Sequence, residues 1–470
     1  MATTFDLVAL SIAVAVIVSR TALDLASRVT ESASSPKGVG LADRGRRVDG
    51  HGHLGVAFPI GESLSQGKGH AAHDIRATSG TPMKIEQRRW TKVDGWTPAS
   101  SGSIAQSAQL VLVFGARAVL QDMELVQSIR KFCPTAHILG CSTAGEICGA
   151  QVSDDSLVAT AIQFEHTQVR SAQTSLDANR DSQKAGEFLA QALPHSIGAE
   201  AGGAEEKLTH VLVLSDGLSV NGSDLVRGLM KHLPDGVTIT GGLAGDGARF
   251  AETLVFNDDV PQKGAIAVVG LYGSRLKIGL GSLGGWEPFG PERLVTRSEG
   301  SVLFQLDGRP ALGLYKQYLG EHAKGLPATG LLFPLSVRAK EGDTALVRTI
   351  LAVDEQQQSM TFAGDVPEGA HARLTKANID RLVDGAVGAA RVSYPEGAVA
   401  PDLAILISCV GRKLVLKQRV EDEVEGVRSV LGEQAVTAGF YSYGEIAPFS
   451  FGERSGLHNQ TMTITTFAEC

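Results

Sequence analysis

One supersecondary unit is written three times along this 470-residue chain, and that repetition restricts its possible folds more than any other feature. The first copy opens on Leu110-Val-Leu-Val-Phe-Gly115 and closes through Ile138-Leu139-Gly140 to Gly145. The second opens on His210-Val-Leu-Val-Leu-Ser215 and closes through Thr238-Ile239-Thr240 to Gly245. The third runs from Leu403-Ala-Ile-Leu-Ile-Ser408 through Ala438-Gly439-Phe440 to Gly444. Each opening run is apolar and rich in Val, Leu and Ile, as expected of a strand covered on both faces. Helical spacing follows in each copy: Leu125, Val126, Ile129 and Phe132; then Leu225, Val226, Leu229, Met230 and Leu233 behind a Ser223 cap; then Val420, Val424, Val427 and Leu431. A short strand then leads into a glycine turn, so each copy reads as β-α-β with a right-handed crossover. Further strands are expected at Ser156–Ile162, Gly264–Val269 and Thr461–Thr466. The fold class is therefore α/β, built from repeated β-α-β units with glycine turns.

Both strands of a β-α-β unit run parallel, so their carboxyl ends share one edge of the sheet, where ligands of open α/β folds bind. The turns GCSTAGEI, TGGLAGDG and GFYSYGEI should all lie on that edge. Glycines there would let backbone N–H groups approach a ligand. The candidate ligand-binding residues are thus Gly140, Cys141, Ser142, Thr143, Gly145 and Glu146 of the first turn. Gly241, Gly242, Gly245 and Asp246 belong to the second turn, and Tyr441, Tyr443, Gly444 and Glu445 to the third. The loops after the opening strands add Arg117, Asp216 and Arg412. Arg117 or Arg412 could grip a carboxylate in bidentate fashion, and the acidic residues could take an amino group. Such a two-signed crevice suits an amino acid.

Several enzyme readings fail on spacing. In GCSTAGEICG the second glycine stands three residues after Ser142, whereas a nucleophile elbow needs G-x-S-x-G, so Cys141 or Ser142 as the nucleophile of a hydrolase is the weaker alternative. Gly279-Leu-Gly281-Ser-Leu-Gly284 mimics a dinucleotide fingerprint, but Gly285-Trp286-Glu287-Pro288 leaves no room for a phosphate-binding helix, and a strand-ending loop is expected there. The five cysteines form no C-x-x-C pair, so reduced thiols in a cytoplasmic protein are expected rather than disulfides or a metal site. A net charge of −8 without a basic stripe argues against nucleic acid as a partner.

Residues 1–82 differ from the rest: Gly, Ser, Ala and Arg dominate, and four histidines (51, 53, 70 and 73) crowd a Gly-rich stretch. The apolar run Leu7–Val18 is too short to span a bilayer and has no basic residue ahead of it, so neither a membrane span nor a signal peptide is expected. This segment is expected either to be disordered or to lie upstream of a natural start at Met83. A histidine metal tract is the least favoured reading.

With its turns placed, the chain resembles the FIST family, a bacterial sensory module of signal transduction. The carriers are Leu110–Gly115 with Gly140–Ile147, the Thr240–Asp246 turn, Phe304-Gln-Leu-Asp-Gly-Arg-Pro-Ala311 with Tyr315, and Gly439–Ile446 closing on His458-Asn-Gln-Thr-Met462. Similar proteins open near M-x-I-E-Q-R-x-W, here Met83–Trp90. The resemblance implies two associated domains, a FIST N-terminal domain over 83–297 with two repeats and a FIST C-terminal domain over 298–470 with an insert and the third repeat. It implies a non-enzymatic, intracellular sensor of a small ligand such as an amino acid, requiring no cofactor. Signalling would pass to a separate partner such as a histidine kinase or a cyclic-nucleotide enzyme. Some FIST-like proteins carry haem and sense nitric oxide, and for that alternative His458 is the first candidate axial ligand, ahead of His137 and His166.

Overall fold

In the computed structural model the described residues are 83–99, 102, 104–176, 181–198, 205–340, 344–448 and 452–470. The expectations for residues 1–82 lie outside them. All three repeats are present. Leu110–Ala116 pairs in parallel with His137–Thr143, Glu206–Ser215 with Thr238–Leu243, and Leu403–Cys409 with Val436–Ser442. The strand after each turn returns antiparallel to its opening strand, as Leu157–Gln163, Ala265–Tyr272 and Met462–Glu469.

The central residues of the opening strands are apolar on both faces because each sheet is covered twice. Leu110, Leu112 and Phe114 face a shared inner core with Leu212, Leu214, Leu403, Ile405 and Ile407. Their sequence neighbours Val111 and Val113, Val211 and Val213, and Ala404 and Leu406 face outward, under helices. The covering helices Met123–Phe132, Gly222–His232 and Val420–Leu431 follow the expected apolar spacing. The second is capped by Asn221 rather than Ser223: the Asn221 carboxamide oxygen accepts from the N–H of Ser223 and of Asp224, so Ser223 already stands inside the first turn.

The three units exchange strands in a cycle. Glu146–Cys148, just after the first turn, pairs with the third unit's closing strand Val436–Ser442. Gly444–Pro448, after the third turn, pairs with the second unit's Thr238–Leu243. Val255–Asn257, after the second turn, pairs with the first unit's His137–Thr143. Each closing strand is thereby completed by a neighbour, leaving no unit with a full sheet of its own. Where the three opening strands face one another, a cavity of about 10 Å³ is lined by Leu110, Leu112, Leu212, Leu403, Ile405 and their apolar neighbours.

The insert is a separate antiparallel sheet that begins at Glu287, ahead of residue 298. Its strand order places Leu346–Arg348 at one end and Ile350–Asp354 at the other. Only Thr349 separates those two strands in sequence, so the sheet closes on itself. Helix Ala311–Leu319 buries Leu312, Leu314 and Tyr315 against its core. Gly279 and Gly281 lie within strand Leu276–Leu283, not in a loop. A Cβ at either would meet the carbonyl of Ser393 or Ala389 at 1.8 or 2.0 Å, so these glycines seat the helix Ile379–Ser393. Among the described residues no helix is long and apolar enough to cross a membrane.

Candidate functional site

The repeated Ser/Thr-x-x-Glu of the first and third turns is one device used twice. Glu146 accepts from the Thr143 hydroxyl (2.5 Å) and from the Ser156 N–H (3.2 Å) and hydroxyl (2.6 Å). Glu445 accepts from the Ser442 hydroxyl (2.7 Å) and from the Thr461 N–H (3.2 Å) and hydroxyl (2.9 Å). Each carboxyl group ties a turn to the start of the returning strand. Burial pushes both up from 4.5 to about 7, against the downward pull of these donors. The second unit divides the task. Asp246 accepts from the N–H of Ala251 and of Glu252 and from the Tyr443 hydroxyl. Asp216 holds the start of the returning strand through the Gly264 N–H (3.2 Å), and also accepts from the Thr253 hydroxyl (2.7 Å) and from Leu218 and Ser219.

The turns meet. Ala144 N–H donates to Tyr441 O and Tyr441 N–H to Gly145 O, both at 2.8 Å. Gly245 N–H donates to Ser142 O (2.9 Å), Gly247 N–H to Thr143 O (3.2 Å), and Tyr443 N–H to Leu243 O (3.1 Å). Lys413 crosses from the third unit to the Ala144 carbonyl (2.9 Å), and Tyr443 stacks on Phe250 with ring centroids 4.4 Å apart. Many turn amides are thus engaged by neighbouring turns, and the residues from Leu139 to Ile147 are all buried. Neither the inner cavity nor a second one of about 20 Å³, beside Glu86, Arg88, Trp96 and Phe132, touches the turns.

Several expected ligand contacts therefore have internal partners. All five N–H groups of the buried Arg412 are taken: Nε and Nη2 by Glu423 (3.0 and 2.6 Å), Nη2 also by Leu382 O, and Nη1 by Gly284 O and Gln460 O. The expected grip of Arg412 on a ligand carboxylate is corrected accordingly, because its fork is filled by Glu423 and main-chain carbonyls. Tyr441 also donates to Glu423, at 2.7 Å. Arg117 is less committed, with a 3.5 Å ion pair to Glu252 and a buried Nε that has no partner.

The repeated glycines of the closing strands serve close strand approach rather than ligand access. A Cβ at Gly140, Gly241 or Gly439 would meet the carbonyl of Val113, Val213 or Leu406 at 2.8, 1.8 and 1.8 Å. Gly242 and Gly444 are likewise crowded by apolar side chains, and Gly245 abuts Ala144.

The nucleophile reading fails on geometry too. Cys141 is fully buried, its thiol is pushed well up by burial, and the Ser142 hydroxyl accepts from Leu254 N–H (2.9 Å). A haem does not fit His458 as placed. The ring is buried, and its Nε2 lies 3.1 Å from Ala447 O, so that nitrogen is turned to the main chain. His137 is held by Asp258 (2.7 Å), and His166 meets Arg275 (2.9 Å). Among the described residues no cluster of three or more His, Cys, Asp or Glu could hold a metal.

Two residues not expected from the sequence stand out at this edge. Gln460 is fully buried, yet neither its amide oxygen nor its amide nitrogen has a partner, and the neighbouring Asn459 Oδ1 has none either. Gln460 also sits in the left-handed region, at φ +61°. The run His458-Asn-Gln-Thr461, polar between two apolar strands, was the available signal.

The fold and its turn cluster define an α/β module of three strand-exchanging units, with Cys141 and Ser142 buried in the first turn. Comparison with known proteins agrees: the FIST N domain matches residues 109–309 and the FIST C domain residues 311–448. The chain belongs to the FIST family, whose domains are sensory modules of signal-transduction proteins. An uncharacterized protein of Mycobacterium tuberculosis is 27% identical over 55% of this chain and 68% of its own length. One from Methanocaldococcus jannaschii is 24% identical over 67% of this chain and 62% of its own, and one from Mycobacterium bovis is 27% identical over 55% and 67%.

Proposed function

We propose that the protein is an intracellular sensor of a small polar molecule such as an amino acid, with the ring of turns as its responsive element. The carrying observation is the cyclic bonding of the turns: each is hydrogen-bonded to a neighbour's backbone, so parting one disturbs the others. A ligand shifts such an element only by binding its two states unequally. A ligand seated where the turns now touch would favour the parted state, and its signal would pass to a separate partner such as a histidine kinase or a cyclic-nucleotide enzyme. Family membership supports the sensory role.

A thermal-shift screen of amino acids and related metabolites tests this reading, followed by hydrogen exchange on any hit. A ligand at 100 times its dissociation constant should stabilise the protein by roughly 2.7 kcal/mol. Exchange should change together in residues 142–147, 243–247 and 441–446. A change confined to one turn, or to none, would show that the ring is not the responsive element.

A further inference from the structure

The Asn459–Gln460 turn is the least satisfied place at the carboxyl edge of the sheets. A buried carboxamide without protein partners is costly until a ligand or a water meets it. Gln460 carries that cost on both amide atoms, and Asn459 on its oxygen. The backbone conformation adds to it, because a left-handed φ of +61° disfavours a side chain like that of Gln. Yet the position is firmly held. The Gln460 carbonyl accepts from Trp286 Nε1 (2.8 Å) and Arg412 Nη1 (3.4 Å), and Thr461 is anchored to Glu445. The amide lies against Gly411, where a Cβ would come within 2.4 Å of its nitrogen, so the missing Cβ of Gly411 is what leaves room for the side chain. Strain and unmet polarity at a rigidly supported point are the marks of a group kept for a ligand.

Resting on the sensor reading above, we propose that Asn459 and Gln460 contact the ligand, and that the ligand carries an amide-type edge with a hydrogen-bond donor and acceptor side by side. A carboxamide offers one acceptor and one donor group, and its complement is the same pair reversed. Side-chain amides, nicotinamide-like amides, lactams and the imide edge of a pyrimidine share that pattern. The Asn459 oxygen adds one acceptor for a further N–H. The amide now lies against Gly411, so a ligand reaches it as the Gln460 side chain swings away from that glycine while the main chain stays anchored.

The turn also joins the core to the closed β insert. Besides the Trp286 bond at its mouth, Arg348 of the insert donates from Nη1 to Leu457 O (3.1 Å) while its Nε holds Asp365 O (2.9 Å). Occupancy at Gln460 therefore bears directly on the Trp286 bond, one residue ahead of the insert, lies three residues from the Arg348 bond, and reaches the ring through Thr461 and Glu445.

The test uses the full chain, with L-asparagine, L-glutamine, nicotinamide and uracil as probes and acetate and methylammonium as controls lacking the paired edge. Gln460→Met keeps the size and removes the amide. Without probe it should melt higher than the wild type, by roughly 2 °C. At least one amide-type probe should raise the wild-type melting temperature, with neither control doing so, and should bind Gln460→Met at least tenfold more weakly. If Gln460→Met does not fold, Gln460→Asn, which withdraws the amide by one methylene, should show the same loss of affinity. A Gln460→Met protein that melts lower than the wild type would mean that the amide is structurally satisfied, and the inference falls. A ligand from the wider screen that binds wild type and variant equally would also overturn it, while leaving the sensor reading intact. No shift of the wild type by any compound would sink both.

Discussion

Replacing Glu146 by Gln should remove a pH-dependent cost of folding. Glu146 and Glu445 are buried, and burial outweighs three hydrogen-bond donors at each, raising both from 4.5 to about 7. The folded state then holds protons that the unfolded chain has released, so stability falls as pH rises through 4.5 and levels off above 7. At about 1.36 kcal/mol per pH unit, each glutamate costs about 3 kcal/mol once the pH exceeds 7. His210 and His458 act in the opposite sense. Burial lowers them from 6.5 to about 3 and about 4, so they remove stability as pH falls below 6.5. The wild-type profile mixes both effects, and the informative quantity is the difference between variant and wild type. Guanidinium unfolding at pH 5 and pH 8 should show Glu146→Gln gaining about 2–3 kcal/mol on the wild type between the two. Glu445→Gln should behave alike, because its three donors match those of Glu146. A difference that stays constant with pH would mean that the donors keep the carboxylate charged, refuting the dominance of burial.

Gly241→Ala should cost about 3 kcal/mol or more, because its Cβ would lie 1.8 Å from Val213 O and no side chain can yield; an unfolding midpoint near the wild type would contradict this. Arg412→Ala should cost about 3–5 kcal/mol by leaving Glu423 charged and buried, and Arg412→Met with Glu423→Gln should cost less. A double variant as unstable as Arg412→Ala would show that packing, not charge, is at stake. In native protein a thiol reagent should label the exposed Cys470 first and leave the buried Cys133, Cys141 and Cys409 untouched until unfolding; prompt labelling of Cys141 would reopen the nucleophile reading.

The repeated units were legible because burial on both faces writes a continuous apolar run, as at Leu110–Phe114 and Leu403–Ile407, and helices keep their period. The exchange of strands was not. Glu146–Cys148 and Val255–Asn257 are three residues long, and nothing local says whose edge they join. The long strand Glu287–Glu299 was hidden by Pro288, Gly290 and Pro291, and its alternation is broken by a register shift between Phe289 and Arg293. At the candidate site, the sequence located the turns but not the use of their residues. A glycine that admits a ligand and one that admits a neighbouring carbonyl look alike, and Gly140, Gly241 and Gly439 proved to be the second kind. Arg412 reads as a surface charge until Glu423, eleven positions away, is found beside it. Gln460 was missed because an unmet hydrogen bond exists only once burial is known.

Cyclic exchange makes the halves of the chain dependent on one another. A fragment of residues 83–297 keeps two repeats and looks from sequence like a domain. It would lose Gly444–Pro448 from the edge of Thr238–Leu243, Val436–Ser442 from Glu146–Cys148, and Met462–Glu469 from Leu276–Leu283. Its inner core would lose Leu403, Ile405, Ile407, Phe440 and Phe467, exposing Leu112, Phe114 and Leu212 to water. At roughly 1.5–3 kcal/mol for each large apolar side chain buried, five such losses come to about 7.5–15 kcal/mol, as large as the 5–15 kcal/mol that typically holds a domain folded. The unpaired edges would add a route to aggregation. The fragment should therefore be unfolded or aggregated by circular dichroism and size exclusion, and should regain structure when residues 298–470 are co-expressed. A soluble, cooperatively unfolding monomer of 83–297 would show that the units stand alone. Ligand effects at one turn would then have no structural reason to reach the others.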